Sequence, residues 1–444
     1  MNALGQASLL IGAERLMRID APASEEKIRM DEWTRASAEL PGATQAALGE
    51  MGLELRARRN ESLAAPFRDG SSLMRPTAAR CRHRMSISRV GPMTTSLRQK
   101  MFREMEQKEI FEQAKRHAFE YADNALARNV FPTDEAIGNL DVFVEDMPEA
   151  TGEAAEILKQ LHVYGSPATV SQIGGRYFGL VSGGIVPAAL AVRWLSDFWD
   201  QNTPLYVTCP IASKLEEITQ GWLRQLFGLP DSTVAGFVSG TSMAIFCGLA
   251  AARYRVFQNK NWDINRKGFK GAPNIRVITG RQAHGTVIKA VALLGVGIDN
   301  VEWVETDDQG RIIPSGIPAL DEDAILIVQA GNVNSGSFDA FDEICDKANQ
   351  AGAWVHIDGA FGLWAAGSER LRHLTMGIEK ANSWSVDGHK TLNTPYDSGL
   401  VLCGDADALV HALQASGSYI VYGDHRDGML YTPEMSRRAR GIEL

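Results

Sequence analysis

Two short motifs place residue types that can do chemistry at the ends of apolar runs. Residues 383–390 form a strand-like stretch that ends in His389 and Lys390, so an imidazole and an amine stand side by side. Asp358, 32 residues before the lysine, follows a second apolar run at residues 353–357. A lysine can form a Schiff base with an aldehyde, and a carboxylate can hold a proton on a basic ring nitrogen. A cofactor that carries both an aldehyde and a basic ring nitrogen therefore requires this pair of residues.

A third motif predicts a site for a phosphate group. Residues 236–244 have the pattern of a strand, a tight turn of small residues and the start of a helix. Backbone N–H groups at a helix N-terminus favour an anion, and the hydroxyls of Thr241 and Ser242 add donors after Gly240. The motif matches neither a P-loop nor the GxGxxG fingerprint, so its interpretation depends on the other two motifs.

Taken in this order, the motifs resemble those of the group II pyridoxal-phosphate decarboxylases, which are related to glutamate and aromatic amino-acid decarboxylases. The resemblance runs from about residue 93 to the end of the chain. It implies the type I fold of pyridoxal-phosphate enzymes, a pyridoxal 5'-phosphate cofactor, a small amino-acid substrate and a homodimer. The chain departs from the family where Thr-Ser follows Gly240 in place of a usual Gly-Gly-Thr pattern. Gly359 and Thr391 also stand where many relatives have alanine and tryptophan.

The resemblance also implies roles for single residues. Lys390 would hold the cofactor as an internal aldimine and later carry a proton, while Asp358 would keep the ring nitrogen protonated. His284 would stack on the ring and help to orient the substrate carboxylate, with Ala360 against the opposite ring face. His389 would contact the phosphate or the departing carboxylate.

Three further residues lie in segments that match the family less closely. Asn332 belongs to residues 329–336, where relatives usually carry Gly-Thr-Thr, and would hydrogen-bond near the ring hydroxyl. Residues 419–437 resemble a mobile loop in which a tyrosine from the neighbouring subunit protonates the quinonoid. Tyr422 and Tyr431 are the two candidates for that tyrosine.

The predicted reaction is decarboxylation of an L-amino acid to its amine, through the lysine aldimine and a quinonoid. Two alternatives keep the cofactor: a carbon–carbon lyase resembling sphingosine-phosphate lyase, and an aminotransferase. A third is a truncated chain that binds the cofactor without turnover. A metal hydrolase built from His284, His356, Asp358 and His389 is the alternative from another class, although these residues lack close ligand spacing such as HExxH.

The rest of the chain predicts the elements that must position these residues. Beyond Gly175, apolar strands alternate with helices, which indicates an α/β fold with a mostly parallel sheet covered on both faces. Ligands of such sheets bind beyond the carboxyl ends of the strands, where the motifs fall. Strands are predicted at residues 234–238, 275–279, 301–304, 324–328, 353–357 and 399–403, and helices at residues 95–128, 152–162, 187–200, 211–227, 242–257, 286–294 and 339–350.

One of these helices carries a marked apolar stripe. Leu215, Ile218, Trp222 and Leu226 recur at helical spacing in residues 211–227. The stripe predicts the side of the helix that faces the core.

Domain boundaries follow from composition and from the resemblance. Residues 1–92 carry 13 Arg and one Lys without a sustained period, and are predicted to be a disordered or non-native extension. Residues 93–175 are expected to form an N-terminal helical arm, and residues 176–415 the large cofactor-binding domain. Residues 416–444 are expected to begin the mobile loop and a small C-terminal domain that is truncated.

Composition narrows the remaining options. A net charge of −9 argues against general nucleic-acid binding. In the whole sequence, no apolar run reaches the roughly 20 residues that span a bilayer, so no membrane partner is expected. Five scattered cysteines without CxxC spacing favour a reduced, cytoplasmic setting.

Overall fold

Seven strands form one sheet, in the order β1-β7-β6-β5-β4-β2-β3. The computed structural model describes residues 96–149, 152–414, 420 and 422–444, so the extension predicted at residues 1–92 lies outside the described residues. The strands are β1 (Val234–Val238), β2 (Arg276–Gly280), β3 (Val301–Val304), β4 (Ala324–Gln329), β5 (Trp354–Asp358), β6 (Ser383–Asp387) and β7 (Gly399–Cys403).

Helices precede the sheet and fill the connections between its strands. They are α1 (Leu97–Gln107), α2 (Glu109–Ala125), α3 (Asp134–Gly138), α4 (Ala154–Gln160), α5 (Pro187–Trp199), α6 (Pro210–Phe227), α7 (Thr241–Asn259), α8 (Ile264–Lys267), α9 (Gly285–Leu293), α10 (Phe341–Gln350) and α11 (Ala406–Leu413). Among the residues that the structure describes, no helix combines the length and apolar character needed to cross a membrane.

The sheet is mostly parallel, as the strand pattern predicts. β3, β2, β4, β5 and β6 pair in parallel, whereas β7 runs antiparallel to both β6 and β1. The six strand ranges predicted above agree with the observed ones to within one residue at each end, and β6 covers the first five residues of the strand-like stretch at residues 383–390. The carboxyl ends of the parallel strands therefore meet the start of β7 at one edge of the sheet.

The core has two layers, one on each face of the sheet. Ile325 and Ile327 of β4 belong to a buried cluster with α7 and α9, whereas Leu326 and Val328 belong to a second cluster with α10. Because successive side chains of a strand point to opposite faces, this alternation shows that helices cover both faces. Strands buried on both faces are apolar throughout, which explains why the sequence pattern locates them well.

The apolar stripe predicted for α6 does not face the core. Trp222 and Leu226 are 66% and 41% exposed, whereas Glu216, Thr219 and Leu223 on another side of the helix are buried. The prediction is wrong because a buried ion-pair network selects the inward face. Glu216 pairs there with two arginines from the C-terminal segment.

The region predicted as one long helix at residues 95–128 is two helices. Lys108 separates α1 from α2 and has a left-handed backbone with φ 59°. The pattern at residues 152–162 corresponds to α4 and the π-helical turn Leu161–Gly165 that follows it.

Candidate active site

Lys390 lies just beyond β6, and its amine faces a carboxylate three residues earlier. Its Nζ is 3.1 Å from Oδ2 of Asp387, whose side chain is 2% exposed. The backbone oxygen of Asp387 accepts a hydrogen bond from the indole of Trp364 at 2.8 Å. The amine is therefore held at the sheet edge, with 20% of the lysine side chain exposed.

The start of α7 reaches the same carboxylate from the other side. The backbone N–H of Thr241 donates to Oδ1 of Asp387 at 2.6 Å. Thr241 is buried, and among the described residues its hydroxyl has no hydrogen-bond partner. A β-carbon at Gly399 would collide with the backbone of Gly240, so the glycine allows β7 and the turn before α7 to touch. Ser242, the other predicted donor, is exposed on the first turn of the helix.

Asp358 ends β5 as a buried acid. Its residue is 5% exposed, and Oδ1 accepts a hydrogen bond from the backbone N–H of Ala360 at 3.2 Å. Burial raises the pKa of Asp358, while the positive charges of Lys390 and His284 act in the opposite direction. A carboxylate in this state gains most from a cation placed beside it, which a protonated ring nitrogen would be.

His284 stands at the N-terminus of α9, near Asp358 but open to solvent. Its Nδ1 lies 3.3 Å from the backbone N–H and 2.8 Å from the hydroxyl of Thr286. The backbone N–H can only donate, so Nδ1 accepts it and caps the helix. The imidazole is exposed at the start of α9, where a flat ligand could stack on it.

His389 is fixed between a ring and the carboxylate that pairs with Lys390. Its imidazole stacks on Tyr396 with 4.3 Å between ring centroids, and Nδ1 accepts a hydrogen bond from the backbone N–H of Ser398 at 3.2 Å. Nε2 therefore carries the proton and points at Oδ2 of Asp387, 3.5 Å away. Burial lowers the pKa of His389, and Asp387 opposes that change.

Asn332 is buried near the loop that leads to His284. Its Oδ1 accepts hydrogen bonds from the backbone N–H groups of Asn334 and Ser335, at 3.0 and 3.3 Å. In the part of the chain that the structure describes, its Nδ2 has no hydrogen-bond partner. Contact of this nitrogen with the ring hydroxyl stays a prediction.

The two tyrosines predicted in the mobile loop have different surroundings. Tyr431 packs beside β1, where its backbone oxygen abuts Gly236, and the guanidinium of Arg426 lies 4.3 Å from its ring centroid. Tyr422 is 40% exposed. The assignment of either tyrosine as a proton donor stays a prediction.

Two positions that support the site were not identified from the sequence. Asp387 touches both the lysine and the phosphate motif, and the visible signal was a carboxylate at a strand end three residues before Lys390. Gly183 donates its backbone N–H to the carbonyl oxygen of His389 at 3.2 Å, and a β-carbon there would collide with the carbonyl oxygens of both His389 and Lys390. This contact joins residues about 200 positions apart, so local patterns cannot show it.

The metal-hydrolase alternative finds no support in the geometry. Within the described ranges, the one group of side chains close enough to share a metal ion is His117, Glu120 and His162, which lies in the N-terminal helices. The two histidine rings of that group stack at 4.1 Å with 16° between their planes. The predicted site residues form no such group.

The residues at the sheet edge fit a phosphorylated aldehyde with a basic ring. Lys390 supplies a primary amine, and Asp358 supplies a buried carboxyl whose pKa is raised by burial. The unpartnered hydroxyl of Thr241, within the described chain, supplies a donor at a helix N-terminus. Gly240 lies beside His389, since a β-carbon there would be 3.1 Å from Cε1 of the imidazole.

Comparison with known proteins identifies the family. Residues 146–444, more than half of the chain, match the pyridoxal-dependent decarboxylase conserved domain. The fold is similar to that of mouse CSAD, with a TM-score of 0.68 and 22% identity over 76% of this chain and 72% of that one.

Two plant structures show the same fold. Oryza sativa TDC, solved with PLP and tryptamine, has a TM-score of 0.70 and 21% identity over 76% of this chain and 73% of its own. Catharanthus roseus tryptophan decarboxylase, solved with L-tryptophan, has a TM-score of 0.66 and 21% identity over 79% of this chain and 74% of its own. At these identities the likeness establishes the type I fold of pyridoxal-phosphate enzymes.

Proposed function

The chain belongs to the pyridoxal-dependent decarboxylase family, and we propose that it decarboxylates an L-amino acid to the amine with Lys390 as the residue that binds the cofactor aldehyde. Membership of the family makes the protein a carboxy-lyase that uses pyridoxal phosphate. The identity of the substrate and the roles of single residues are the parts that we propose.

The observation that supports the proposal most strongly is the pairing of an amine with a buried acid at one sheet edge. Lys390 follows β6 and Asp358 ends β5, and these two strands are hydrogen-bonded neighbours. The positive charge of Lys390 lowers the pKa of Asp358, against the effect of burial. The proposal places the cofactor ring beside these two groups.

The bound cofactor would supply an electron-accepting ring that takes up the electron pair left when CO2 departs. Asp358 would hold a proton at the ring nitrogen, because a cation beside a buried carboxylate stabilises its charged form. His284 is the exposed ring at the mouth of the site, and we assign to it the role of stacking on the cofactor.

The phosphate end of the cofactor would lie toward α7. Thr241 offers its hydroxyl there, and Gly240 leaves the space for close approach. His389, whose Nε2 carries a proton, would contact the phosphate or the substrate carboxylate. Asn332 adds a buried amide donor near the loop that carries His284.

We also propose that the protein works as a homodimer. Large apolar side chains are exposed on α1, α2 and α5, including Phe102 at 58%, Phe119 at 54% and Phe198 at 58%. Apolar surface of this kind is typical of a protein interface. Sedimentation analysis should give twice the mass of the chain, and a monomer at micromolar concentration would contradict the proposal.

The proposed reaction is tested by supplying the purified protein and pyridoxal phosphate with a panel of amino acids. Release of CO2 together with an equimolar amine from at least one of them is the expected result. A keto acid without CO2 would indicate an aminotransferase, and an aldehyde from cleavage of a carbon–carbon bond other than that to the carboxylate would indicate a lyase of the other type. Bound, borohydride-reducible cofactor without any product would indicate binding without turnover.

The panel should be run on the full chain and on a version without residues 1–92. The two forms are expected to act on the same amino acids, because every residue assigned to the site lies outside residues 1–92. A change of substrate between the two forms would show that the extension takes part in the site.

A further inference from the structure

Asp387 places a negative charge where the phosphate is expected. Its Oδ1 accepts the backbone N–H of Thr241, the first residue of α7, at 2.6 Å. Its Oδ2 lies 3.1 Å from the amine of Lys390 and 3.5 Å from Nε2 of His389. One carboxylate therefore contacts the helix N-terminus, the amine and the imidazole that the cofactor would use.

The N-terminus of α7 is prepared for an anion by more than its dipole. α7 spans 19 residues, and the hydroxyl of its first residue, Thr241, is buried and, among described residues, unpartnered. Asp387 satisfies one backbone donor there and leaves this hydroxyl without an acceptor. A tetrahedral phosphate has three terminal oxygens and can accept from both.

The sheet fixes Asp387 against the helix. Gly399 of β7 pairs with Val238 on one side and with Asp387 on the other, so the end of β1, which leads into α7, and the end of β6 lie in one row. Gly240 and Gly399 are in backbone contact, which places the turn before α7 directly against the start of β7. A phosphate at the start of α7 would therefore lie close to the carboxylate.

We propose that Asp387 competes with the cofactor phosphate for the N-terminus of α7, and so weakens cofactor binding. The inference rests on the proposed function, since it assumes that the phosphate binds at this helix. Two anions at one helix end repel each other, and the repulsion is strong where water is excluded. Before the cofactor arrives, the same carboxylate holds the amine of Lys390 in an ion pair.

The proposal predicts a gain of affinity when the charge is removed. Asp387→Asn keeps an oxygen that can accept from the Thr241 N–H and has nearly the same shape. This variant of the full-length apoprotein should bind pyridoxal phosphate at least about tenfold more tightly than the wild type does. Pyridoxal, which lacks the phosphate, should change in affinity by much less. Inorganic phosphate should bind the variant more tightly as well.

The ratio of the affinities for pyridoxal phosphate and pyridoxal distinguishes an effect at the phosphate from an effect at the amine of Lys390. Loss of the ion pair with Lys390 would alter binding of pyridoxal and pyridoxal phosphate alike, whereas competition at the helix alters only the phosphorylated ligand. Isothermal titration calorimetry gives the dissociation constants of pyridoxal phosphate, pyridoxal and inorganic phosphate, and needs no measurement of turnover. A second neutral variant, Asp387→Ser, keeps an oxygen acceptor and should show the same selective gain.

Asp405→Asn is a matched control away from the site. Asp405 also caps a helix, since its side chain accepts from the N–H of Ala408 at 3.0 Å, and it also pairs with a cation, Arg255. Removal of its charge should leave the affinity for pyridoxal phosphate unchanged.

The outcomes separate this inference from the proposed function. Equal or weaker binding of pyridoxal phosphate by both neutral variants, with the wild type still binding it, would overturn the inference and leave the function standing. A wild-type protein that does not bind pyridoxal phosphate at all would overturn both.

Discussion

Replacement of His356 should change how the stability of the protein depends on pH. The histidine lies in β5, two residues before Asp358, and is fully buried. Its Nδ1 lies 2.8 Å from the hydroxyl of Ser383, while within the described chain Nε2 has no partner. Burial lowers the pKa of His356 from 6.5 to about 3.

The sign and size of the effect follow from this shift. Because the folded pKa lies below the unfolded one, the neutral histidine contributes its full stability above pH 6.5 and loses it as the pH falls toward 3. Each pH unit in that window removes about 1.4 kcal/mol. Between about pH 7 and about pH 4.5, His356 should therefore take about 2.5 kcal/mol from the free energy of unfolding.

A difference measurement is needed because another buried group titrates in the opposite direction. Burial raises the pKa of Asp339 from 3.8 to about 6, so its contribution to stability grows as the pH falls through that range. His356→Asn keeps an amide near the position of Nδ1, within reach of Ser383, and cannot become charged. The difference in free energy of unfolding between wild type and variant removes the contribution of Asp339.

Urea unfolding of both proteins at a series of pH values provides the assay. The stability of the wild type relative to His356→Asn should fall by about 2.5 kcal/mol between about pH 7 and about pH 4.5, with unchanged denaturant slopes. The same substitution at His411, whose side chain is 44% exposed, controls for the loss of a histidine as such. A difference that stays constant over the whole range would refute the reasoning.

Three further predictions concern the site and its support. Gly183→Ala should reduce cofactor binding more than about tenfold, because the new β-carbon collides with the carbonyl oxygens of His389 and Lys390. Gly184→Ala, whose β-carbon would have its nearest atom at 3.7 Å, should bind the cofactor as the wild type does. Equal affinities of the two variants in absorbance titrations with the cofactor would contradict this prediction. Glu216→Gln should lower the free energy of unfolding by about 3–5 kcal/mol, because it leaves two buried guanidiniums without a carboxylate partner. Glu217→Gln should lower it by less than about 1 kcal/mol, because the side chain of Glu217 is 55% exposed. Similar losses of the two variants in urea unfolding would refute the burial argument. Asp358→Asn should raise the thermal midpoint of the cofactor-free protein at neutral pH, because the raised pKa of this acid means that its ionised form destabilises the fold above the unfolded pKa of 3.8. The same variant should lose most of its turnover. An unchanged midpoint together with wild-type turnover would contradict both roles of Asp358.

The sheet could be predicted from the sequence because its strands are buried on both faces. Runs such as residues 324–328 contain only apolar side chains, because a strand that is buried on both faces does not alternate apolar and polar residues. The order of the strands and the antiparallel direction of β7 depend on contacts between distant parts of the chain, so no local pattern shows them.

The inward face of α6 shows where the reasoning from periodicity fails. The apolar residues Trp222 and Leu226 are exposed, and the charged Glu216 is buried because it meets Arg426 and Arg437 from the far end of the chain. Hydrophobic spacing takes no account of a partner about 210 residues away. A charged side chain is buried only where the fold places its counter-ion beside it.

The candidate site shows the same limit in a milder form. Lys390, His389 and Asp358 lie at strand ends that the sequence identifies, and the structure brings them to one edge of the sheet. Asp387 was not assigned a role, since its importance depends on the helix that starts at Thr241, 146 residues earlier. Its position at a strand end three residues before Lys390 is visible in the sequence, but only the tertiary contact with Thr241 shows that it belongs to the site.

Lys390 is proposed to be the residue that binds the cofactor covalently. The most direct test is to incubate the wild type, Lys390→Ala and Lys380→Ala with pyridoxal phosphate, reduce with borohydride and map the modified peptide by mass spectrometry. Lys380, which pairs with Asp342 and Asp346 away from the sheet edge, is the matched control. A single modified lysine at position 390 is expected in the wild type and in Lys380→Ala, and none in Lys390→Ala. Modification at another lysine, or undiminished labelling of Lys390→Ala, would contradict it.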